Sequence, residues 1–283
     1  FFEAVNDKQT VADLVNAAAQ WCKERKLNRM LGPASFTSND EYGLLIDGFD
    51  SPPMIMMPYN PQYYPELLEK AGLKKAKDLY AWKRDTGEPS ERIKSLTERI
   101  RRKDKLTIRE LNMKKFKEEL EIVKDIYNSA WEKNWGFVPM TDEEIDFLAE
   151  KLKPVVVAQL IHFVELEGKP VGLSLTIPDF NFIMHRMNGR LLPTGIFKFL
   201  YYKNKIDRVR LMILGVKKEY RSRGYELLLY TEIIKAARHL GYKWGEMSWT
   251  LEDNLLINKA IESMGGVIYK KYRVYELDIM GKA

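Results

Sequence analysis

The chain has 283 residues, 45% of them hydrophobic and 12% aromatic, so it is long enough to bury a large core in about two domains. One cysteine and three histidines exclude a disulfide framework and a cysteine-based zinc site, and we predict no metal site. The longest apolar run, 154–164, is too short to cross a bilayer. With no signal peptide visible, we predict a cytoplasmic protein without a membrane span. Because residue 1 is Phe, the sequence is expected to begin partway through a longer chain.

The positive charge of the chain is concentrated in one segment. The formal net charge is +6, and residues 83–117 hold 13 Lys/Arg against 6 Asp/Glu, which is +7 for that segment alone. Such a segment is typical of a solvated helical connector, a nucleic-acid patch or a docking site for an acidic partner. The segment lacks the interleaved aromatic residues of a nucleic-acid stacking surface, so we favour the connector and predict no nucleic-acid partner.

The first third of the chain alternates helical and strand patterns. Apolar residues at helical spacing predict a helix over 11–26 and a short helix over 61–70. Strands are predicted over 30–36 and 78–82. The segment 43–57 is apolar but punctuated by glycine and proline, which favours a packed loop.

The remaining chain surrounds one strand with two apolar faces. Residues 209–216 are apolar on both faces, which is typical of a central, doubly covered strand. In the strand predicted over 243–251, Glu246 lies on a polar face and Met247 on an apolar one, which favours a neighbouring cleft. Further helices are predicted over 88–100, 114–131, 142–152, 196–202, 225–240 and 255–264, and further strands over 155–166, 170–177 and 268–279.

A faint internal repeat links the two ends of the chain. Residues 11–82 and residues 225–279 share the order helix, strand, Asn, short helix, Glu-x-x-Gly, strand. This similarity favours an internal duplication over chance.

The strongest functional signal is a basic turn between the central strand and the helix that follows it. The first N–H groups of a helix have no intrahelical partner, and the helix dipole adds partial positive charge there. Arg221 and Arg223 add full charges, and Gly224 lets a ligand approach the backbone closely. The pattern therefore predicts an anion site that would suit a pyrophosphate.

This order of strand, turn and helix resembles the GNAT superfamily, the GCN5-related N-acyltransferases. The family signature [Gln/Arg]-x-x-Gly-x-[Gly/Ala] matches residues 221–226, RSRGYE, except that Glu226 replaces the small last residue. Downstream, Asn254 and the Gly pair 265–266 match further family features, whereas the usual Tyr of the following helix would fall near Ile261.

The resemblance implies an α/β (α+β) GNAT fold, a mixed central sheet flanked by helices, with a second partial GNAT-like half. We predict a partial, degenerate GNAT-like half over 1–83, a charged helical connector over 84–105, and a complete acyltransferase domain over 106–283. The corresponding turn of the first half lacks glycine, so no cofactor is expected there.

The resemblance also implies that the chain binds acetyl-CoA or another acyl-CoA as co-substrate. Backbone N–H groups and basic side chains of the turn would hold its diphosphate, a backbone N–H of the central strand would stabilise the thioester carbonyl, and Asn254 would anchor the pantetheine arm. The predicted donor-binding residues are Leu214, Val216, Arg221, Ser222, Arg223, Gly224, Tyr225 and Asn254.

Two glutamates are candidates for the catalytic base, because burial beside a cleft would raise a carboxyl pKa toward neutrality. These are Glu252 and Glu246 on the polar face of the strand 243–251. Trp135, Asp179 and Trp249 are candidate acceptor-binding residues, with packing roles as the alternative.

We therefore predict an N-acyltransferase that moves an acyl group, by default acetyl, from acyl-CoA to an amine of a small-molecule acceptor. One alternative keeps the fold but takes the acyl group from an acyl carrier protein, whose acidic surface the basic connector could meet. The other alternative is a non-catalytic GNAT-like protein that binds a ligand or partner.

Overall fold

The computed structural model describes residues 2–131 and 134–279, and these divide into two compact units. The first unit contains residues up to Trp82 together with Trp249–Asn258 and the chain from Ile268 onward. The second contains Lys83–Ser248 and Lys259–Val267. The predicted domain boundaries at 83/84 and 105/106 remain a prediction.

The first unit opens with a capped amphipathic helix. Asp7 precedes helix α1, Lys8–Glu24, and its carboxylate accepts a hydrogen bond from the Thr10 N–H at 2.7 Å, which satisfies one of the unpaired donors of the first turn. Val11 and Val15 of this helix pack with Tyr64 of helix α2, Tyr64–Lys70, in the core of the unit. Both helices lie where the apolar periodicity predicts them.

The sheet of the first unit is built around the last strand of the chain. Strand β9, Val267–Asp278, pairs antiparallel with β1, Arg29–Gly32, and with β2, Leu44–Asp47, and its other neighbour is β3, Lys74–Asp85. Tyr275 of β9 is fully buried in the core beside α1 and α2. The C-terminal strand is therefore an integral part of the N-terminal unit.

A buried lysine fastens the loop after β2 to this last strand. Lys270 of β9 is 0% exposed, and its ammonium group donates hydrogen bonds to the carbonyl oxygens of Gly48 and of Ser51, the latter at 2.7 Å. The predicted loop over 43–57 thus contains a short strand that the glycine and proline content concealed, followed by a loop with fixed backbone partners.

The second unit has a sheet with strand order β8-β7-β6-β5-β4. Its central strand β7 pairs antiparallel with β6 and parallel with β8, and the remaining neighbours are antiparallel. The strands are β4, Thr107–Glu110; β5, Ile161–Leu166; β6, Lys169–Pro178; β7, Arg208–Val216; and β8, Trp244–Leu251, whose last three residues belong to the first unit. The predicted mixed sheet is thereby confirmed.

Helices cover both faces of this second sheet. On one face, Leu228 and Leu229 of helix α8, Tyr225–His239, pack against apolar residues of β5, β6 and β7. On the other face, Ile126 of helix α4, Phe116–Trp131, packs against Phe163 and Leu173. The other helices are α3, Glu91–Asp104; α5, Asp142–Leu152; α6, Asn181–Met187; α7, Gly195–Tyr202; and α9, Leu255–Ser263.

Several local signals in the second unit behave as the sequence indicates. Thr141 and Glu144 form the reciprocal capping box at the start of α5. The hairpin between β5 and β6 turns at Glu167 and Gly168, which both have positive φ angles. The strand predicted over 155–166 was too long, because its first residues form a loop and a 3-10 turn before Ile161.

No helix in the described part of the chain is long and apolar enough to span a membrane.

Candidate functional site

The basic turn connects the end of β7 to α8 through two left-handed residues. The Lys217 N–H donates to the Val171 carbonyl at 2.9 Å, and a single 3-10 turn follows. Ser222 then has φ +63° and Gly224 has φ +83°, directly before the helix begins at Tyr225. Gly224 has no side chain that could cap this helix. In the first turn, the Leu227 N–H donates to the Gly224 carbonyl at 3.1 Å and the Glu226 N–H interacts with its own carboxylate, so the turn offers an anion chiefly the positive end of the helix dipole.

The two arginines of the turn occupy different environments. The Arg221 guanidinium donates a hydrogen bond to the Ala130 carbonyl at the end of α4. The Arg223 guanidinium lies over the Tyr220 ring, 5.4 Å from its centroid. Arg221, Ser222 and Arg223 are all exposed at the surface of the unit. The predicted diphosphate-binding residues thus form one continuous, positively charged turn at a helix N-terminus.

The charged helix α3 packs directly onto this turn. A Cβ atom at Gly224 would lie 2.7 Å from the Ile100 Cδ1 atom, so a larger residue there requires the end of the Ile100 side chain to move. The Tyr225 hydroxyl donates to Asp104 at 2.7 Å, and Arg101 pairs with Glu232 of α8 at 2.8 Å. The segment predicted to be a solvated connector therefore has one face that fixes the start of α8.

The departure from the GNAT signature, Glu226, lies at the start of the same helix. Burial raises the pKa of the Glu226 carboxyl, and its own backbone N–H and the Arg221 charge only partly oppose that shift. Because the pKa in the folded protein lies above the ordinary value, the folded state binds this proton more tightly than the unfolded state. Stability is therefore lost as pH rises from the ordinary glutamate range toward neutrality.

Glu226→Gln is expected to stabilise the protein at pH 7 and to have a smaller effect at pH 4, because the amide removes a carboxylate that burial disfavours. Urea unfolding of both proteins at several pH values between these limits measures the difference. Glu219→Gln, at an exposed position of the same segment, controls for the loss of one negative charge. A Glu226→Gln difference that is constant with pH would contradict this account.

The central strand separates from its parallel neighbour halfway along its length. Paired residues run from Arg208 with Trp244 to Leu211 with Met247, and in the described structure no β7–β8 pair follows them, although β7 continues to Val216. A β-bulge between β6 and β7 occurs at the same place. Thr176 of β6 pairs with Leu211 of β7, whereas Leu175 pairs with Ile213, so the pairing skips one residue of β7. Leu214 and Val216, the predicted carbonyl-binding residues, lie on the separated part of β7.

An aromatic cluster at the end of α4 covers this part of β7. A Cβ atom at Gly215 would lie 2.4 Å from the Trp131 ring, so the tryptophan packs directly on the strand backbone. Tyr127 contacts both Trp131 and Phe137, with ring centroids 4.9 and 5.8 Å away. Trp135, the predicted acceptor-binding residue, lies in the turn within this cluster; residues 132 and 133 lie outside the described residues.

The predicted base Glu246 belongs to a buried polar group on β7 and β8. Glu246 is 0% exposed, and its carboxylate accepts a hydrogen bond from the Ser248 hydroxyl at 2.5 Å. The Arg210 Nε atom donates to the same hydroxyl at 2.9 Å and lies 3.7 Å from the Glu246 carboxylate. The carboxylate is therefore ionically paired in the interior, beside a hydroxyl that can relay a proton.

Asp179, a candidate acceptor-binding residue, follows β6 directly. Its side chain is buried and accepts from the Asn181 N–H at 3.2 Å, while its other oxygen lies 3.7 Å from the Arg208 Nε atom. The Arg208 guanidinium in turn lies between the rings of Phe182 and Trp244, at 4.9 and 5.4 Å from their centroids. These contacts orient Asp179 at the point where α6 begins.

The α8 side of the sheet contains several buried polar side chains. His162, Ser174 and Thr176 each have a buried side-chain atom without a hydrogen-bond partner in the described structure. Burial lowers the pKa of the His162 imidazole, so this ring is neutral at pH 7. Thr176 and Tyr230 also line a partly open pocket of about 380 Å³, counting space open to solvent, between α8 and the strands.

The remaining predicted site residues belong to the first unit. The two Glu252 carboxylate oxygens accept from the Asp78 N–H at 3.1 Å and from the Lys75 ammonium at 2.6 Å. Asn254 accepts from the Ile257 N–H at 3.4 Å, which is a helix-capping contact at the start of α9. Trp249 packs against the Tyr42 ring at 6.3 Å. Each of these residues thus has an identified structural partner.

The second unit contains the turn residues, Leu214, Val216, Glu246, Asp179 and Trp135, whereas Glu252, Asn254 and Trp249 lie in the first. Within the second unit, Asp179 and Glu246 lie beside Arg208 and Arg210 at the start of β7, whereas the turn follows the end of that strand. Sequence reasoning missed Arg210, although it is the only charged residue among the apolar positions 209–216 and that contrast is a usable signal. In the described part of the chain, no cluster of three or more His, Cys, Asp or Glu residues is placed to hold a metal ion.

Comparison with solved structures places this architecture in a known class. A GCN5-related N-acetyltransferase from Sphaerobacter thermophilus matches 94% of this chain and 67% of its own with a TM-score of 0.54 at 14% identity. A tandem GNAT protein from the clavulanic acid biosynthesis pathway matches 96% of this chain and 70% of its own with a TM-score of 0.51 at 9% identity. The chain has the GNAT fold, as its strand–turn–helix motif predicts.

Two curated proteins show the family more closely. Protein YghO of Escherichia coli K12 is 36% identical in an alignment 286 residues long that covers 98% of this chain and 73% of the relative. The bacterial ceramide synthase of Caulobacter vibrioides is 36% identical in an alignment 282 residues long that covers 96% of this chain and 73% of the relative. No protein-family model matches the chain. The chain belongs to the family of these two proteins.

Proposed function

We propose that this protein is an N-acyltransferase that transfers an acyl group from acyl-CoA to the amine of a long-chain, lipid-like acceptor. The observation that carries the proposal is the turn at 221–225, which joins two arginines, two left-handed residues and an uncapped helix N-terminus. A diphosphate carries the charge that such a site favours. The long-chain acceptor is suggested by the relative named bacterial ceramide synthase, since a ceramide is the amide of a long-chain amino alcohol.

The turn fits the diphosphate of CoA for a steric reason as well as an electrostatic one. At Gly224 the Ile100 side chain lies 2.7 Å from where a Cβ atom would be, so the turn packs closely against α3 on that side. Arg221 and Arg223 would neutralise the phosphate charges, and the CoA thioester would supply the activated acyl group. Ser222 and Tyr225 complete the set of residues that we expect to hold the donor.

Acyl transfer then needs one bond to form and one to break. The acceptor nitrogen attacks the thioester carbonyl carbon, the carbon–nitrogen bond forms, and the carbon–sulfur bond breaks to release the thiolate of CoA. We expect a backbone N–H of Leu214 or Val216 to stabilise the negative charge on the carbonyl oxygen. Glu246, with Glu252 as the alternative, accepts the proton of the amine, and the thiolate takes a proton to leave as the thiol.

Arg223→Ala is expected to weaken CoA binding by about 10- to 150-fold, because one charge-assisted contact contributes about 1.5–3 kcal/mol. Isothermal titration with CoA measures the change. Arg25→Ala is the matched control, because Arg25 is an arginine at the end of α1 that stacks on Trp21 outside the turn. If Arg223→Ala binds CoA as tightly as the parent protein, the turn is not part of the donor site.

Donor and acceptor are tested separately by mass spectrometry of the amide product. The protein is supplied with acetyl-CoA or a long-chain acyl-CoA, and with ethanolamine or a long-chain amino alcohol. We expect amide only from the long-chain amine. If amide forms from acylated acyl carrier protein but not from acyl-CoA, the donor is the carrier protein. If no pairing of donor and amine gives amide, the proposed reaction is wrong.

A further inference from the structure

The segment that connects β6 to β7 has a composition unlike the rest of the surface. Residues 180–206 contain five Lys/Arg and no Asp or Glu, and they include nine Phe, Tyr, Leu and Ile residues in the stretch 191–206 alone. The segment folds as the helical hairpin α6–α7, which we define as residues 180–205. An excess of positive charge interleaved with large apolar side chains is typical of segments that bind membrane surfaces.

Aromatic contacts inside the hairpin fix its conformation. Phe180 stacks on Phe199 with ring centroids 6.3 Å apart, and Phe182 packs edge-on against Tyr202 at 6.2 Å. The Arg186 guanidinium lies 3.6 Å from the centroid of the Phe182 ring. These contacts join α6 to α7 and use the inward-facing rings of both helices, so the opposite side chains of α7 point away from the core.

Those outward side chains include several large apolar ones. Leu192 is 74% exposed and Phe197 is 71% exposed, and within residues 191–201 three further large apolar side chains are more than half exposed. We call these residues the apolar edge of the hairpin: Leu191, Leu192, Phe197, Leu200 and Tyr201. Five large exposed apolar residues within eleven positions of the chain indicate a binding surface, because single exposed apolar residues are normally scattered.

The turn that presents this edge is tightly built. The Ile196 N–H donates to the Leu191 carbonyl at 2.8 Å, and a Cβ atom at Gly195 would lie only 2.0 Å from the Arg190 carbonyl oxygen. Leu191 and Leu192 are therefore held in place beside the start of α7. The side chains are displayed on an ordered backbone, with little further conformational entropy to lose on binding.

The basic residues of the hairpin accompany the apolar edge. Lys198 and Lys203 are exposed on the same helix and its continuation, and Arg190 is exposed immediately before Leu191. The Lys205 ammonium lies 3.5 Å from the centroid of the Tyr201 ring. Lysine and arginine beside aromatic rings suit the interface of a bilayer, where the rings enter the headgroup region and the cations meet anionic headgroups.

The charge of the hairpin also argues against a second copy of this chain as the partner that binds the apolar edge. In a symmetric dimer the same patch meets itself, so five cations would face five cations without an acidic residue between them. An anionic lipid surface supplies the missing negative charge and the apolar layer together. We infer that the α6–α7 hairpin is a membrane-surface docking element that inserts its apolar edge into bilayers containing anionic phospholipid.

Vesicle co-sedimentation of the full chain tests this inference without donor or acceptor, so its outcome is independent of the proposed reaction. We expect the protein to partition onto phosphatidylcholine vesicles that contain phosphatidylglycerol, more weakly onto pure phosphatidylcholine, and less at high salt because the charges are then screened. Leu192→Ser/Phe197→Ser is expected to lower the partition coefficient at least tenfold. Arg190→Glu/Lys203→Glu should lower it for anionic vesicles in particular.

Phe147→Ser is the matched control, because Phe147 of α5 is also a largely exposed phenylalanine beside a lysine, Lys151, but lies outside the hairpin. Circular dichroism verifies that each variant is folded. Partition that is absent for the parent protein, or equal in all variants, would overturn the inference. So would a lipid-independent dimer that Phe197→Ser dissociates, since the edge would then be an interface between copies.

Discussion

Glu246→Ala is expected to lower the free energy of unfolding by about 3–5 kcal/mol, the usual cost of breaking a buried ion pair from one side. The carboxylate is 0% exposed and Arg210 is 6% exposed, so water cannot replace the lost charge beside the guanidinium. The loss also removes the acceptor of the Ser248 hydroxyl. Chemical denaturation of the variant and the parent protein measures the difference.

Two further variants make this prediction specific. Arg210→Met/Glu246→Leu removes both charges and should be more stable than Glu246→Ala, because no uncompensated charge then remains inside. Ser248→Ala removes only the bridging hydroxyl and should cost about 1–3 kcal/mol. A Glu246→Ala protein within 1 kcal/mol of the parent would show that the interior at this point is hydrated.

The same residue distinguishes an ion-pair role from the catalytic role that we propose. Glu246→Gln retains the shape and a hydrogen-bond acceptor, but it cannot take a proton from the amine. Because Gln also leaves the buried Arg210 without its charged partner, activity is measured at a temperature where circular dichroism shows the variant folded. If Glu246 is the base, kcat for amide formation should then fall by about 10²–10⁴. Glu252→Gln is the matched comparison, since both Glu252 oxygens already accept hydrogen bonds. A large loss only in Glu252→Gln would assign the base to Glu252.

Gly224→Ala is expected to weaken CoA binding at least tenfold, because the added methyl group would lie 2.7 Å from Ile100 in a residue with φ +83°. The Ile100 side chain can rotate away, but the positive φ is strained for alanine, so the turn is expected to relax and change the arrangement of the N–H groups at the start of α8. The left-handed backbone alone costs about 1–2 kcal/mol of stability in an alanine residue.

Gly241→Ala separates backbone strain from site geometry. Gly241 has nearly the same φ, +85°, at the opposite end of α8, but its added Cβ atom meets nothing within 4 Å. It should therefore lose similar stability by the same left-handed strain and retain CoA affinity. Gly224→Ala/Ile100→Ala should recover part of the binding. If both glycine variants bind CoA equally, the turn is not the donor site.

The parts of the fold that follow from local periodicity were predictable from sequence. Helices α4, α5 and α8 match their predicted ranges to within two residues, because their apolar stripes and caps are strong. The glycines of the two Glu-x-x-Gly motifs of the repeat share a backbone conformation, since Gly72 and Gly265 both have a positive φ angle directly after a helix. Strand β2 and helix α6 were missed, because glycine, proline and aromatic content there obscures periodicity.

The sequence predicted the candidate site only where its residues lie in one continuous segment of the chain. The turn at 221–226 is contiguous, so its residue types indicate an anion site without knowledge of the fold. The pair of Arg210 with Glu246 joins two strands in parallel register, and the contact of Ile100 with Gly224 joins a helix to a turn more than a hundred residues away. Neither contact has a local signal, because each depends on packing that the sequence pattern does not encode.

The place of β9 constrains how this protein is made. Tyr275 completes a core whose other members lie before residue 74, so the N-terminal unit cannot close until the last strand has left the ribosome. At ordinary elongation rates of 5–20 residues per second, that delay after residue 82 amounts to roughly 10–40 s. Throughout this interval, the nascent β1 and β2 remain without β9, the strand with which both pair.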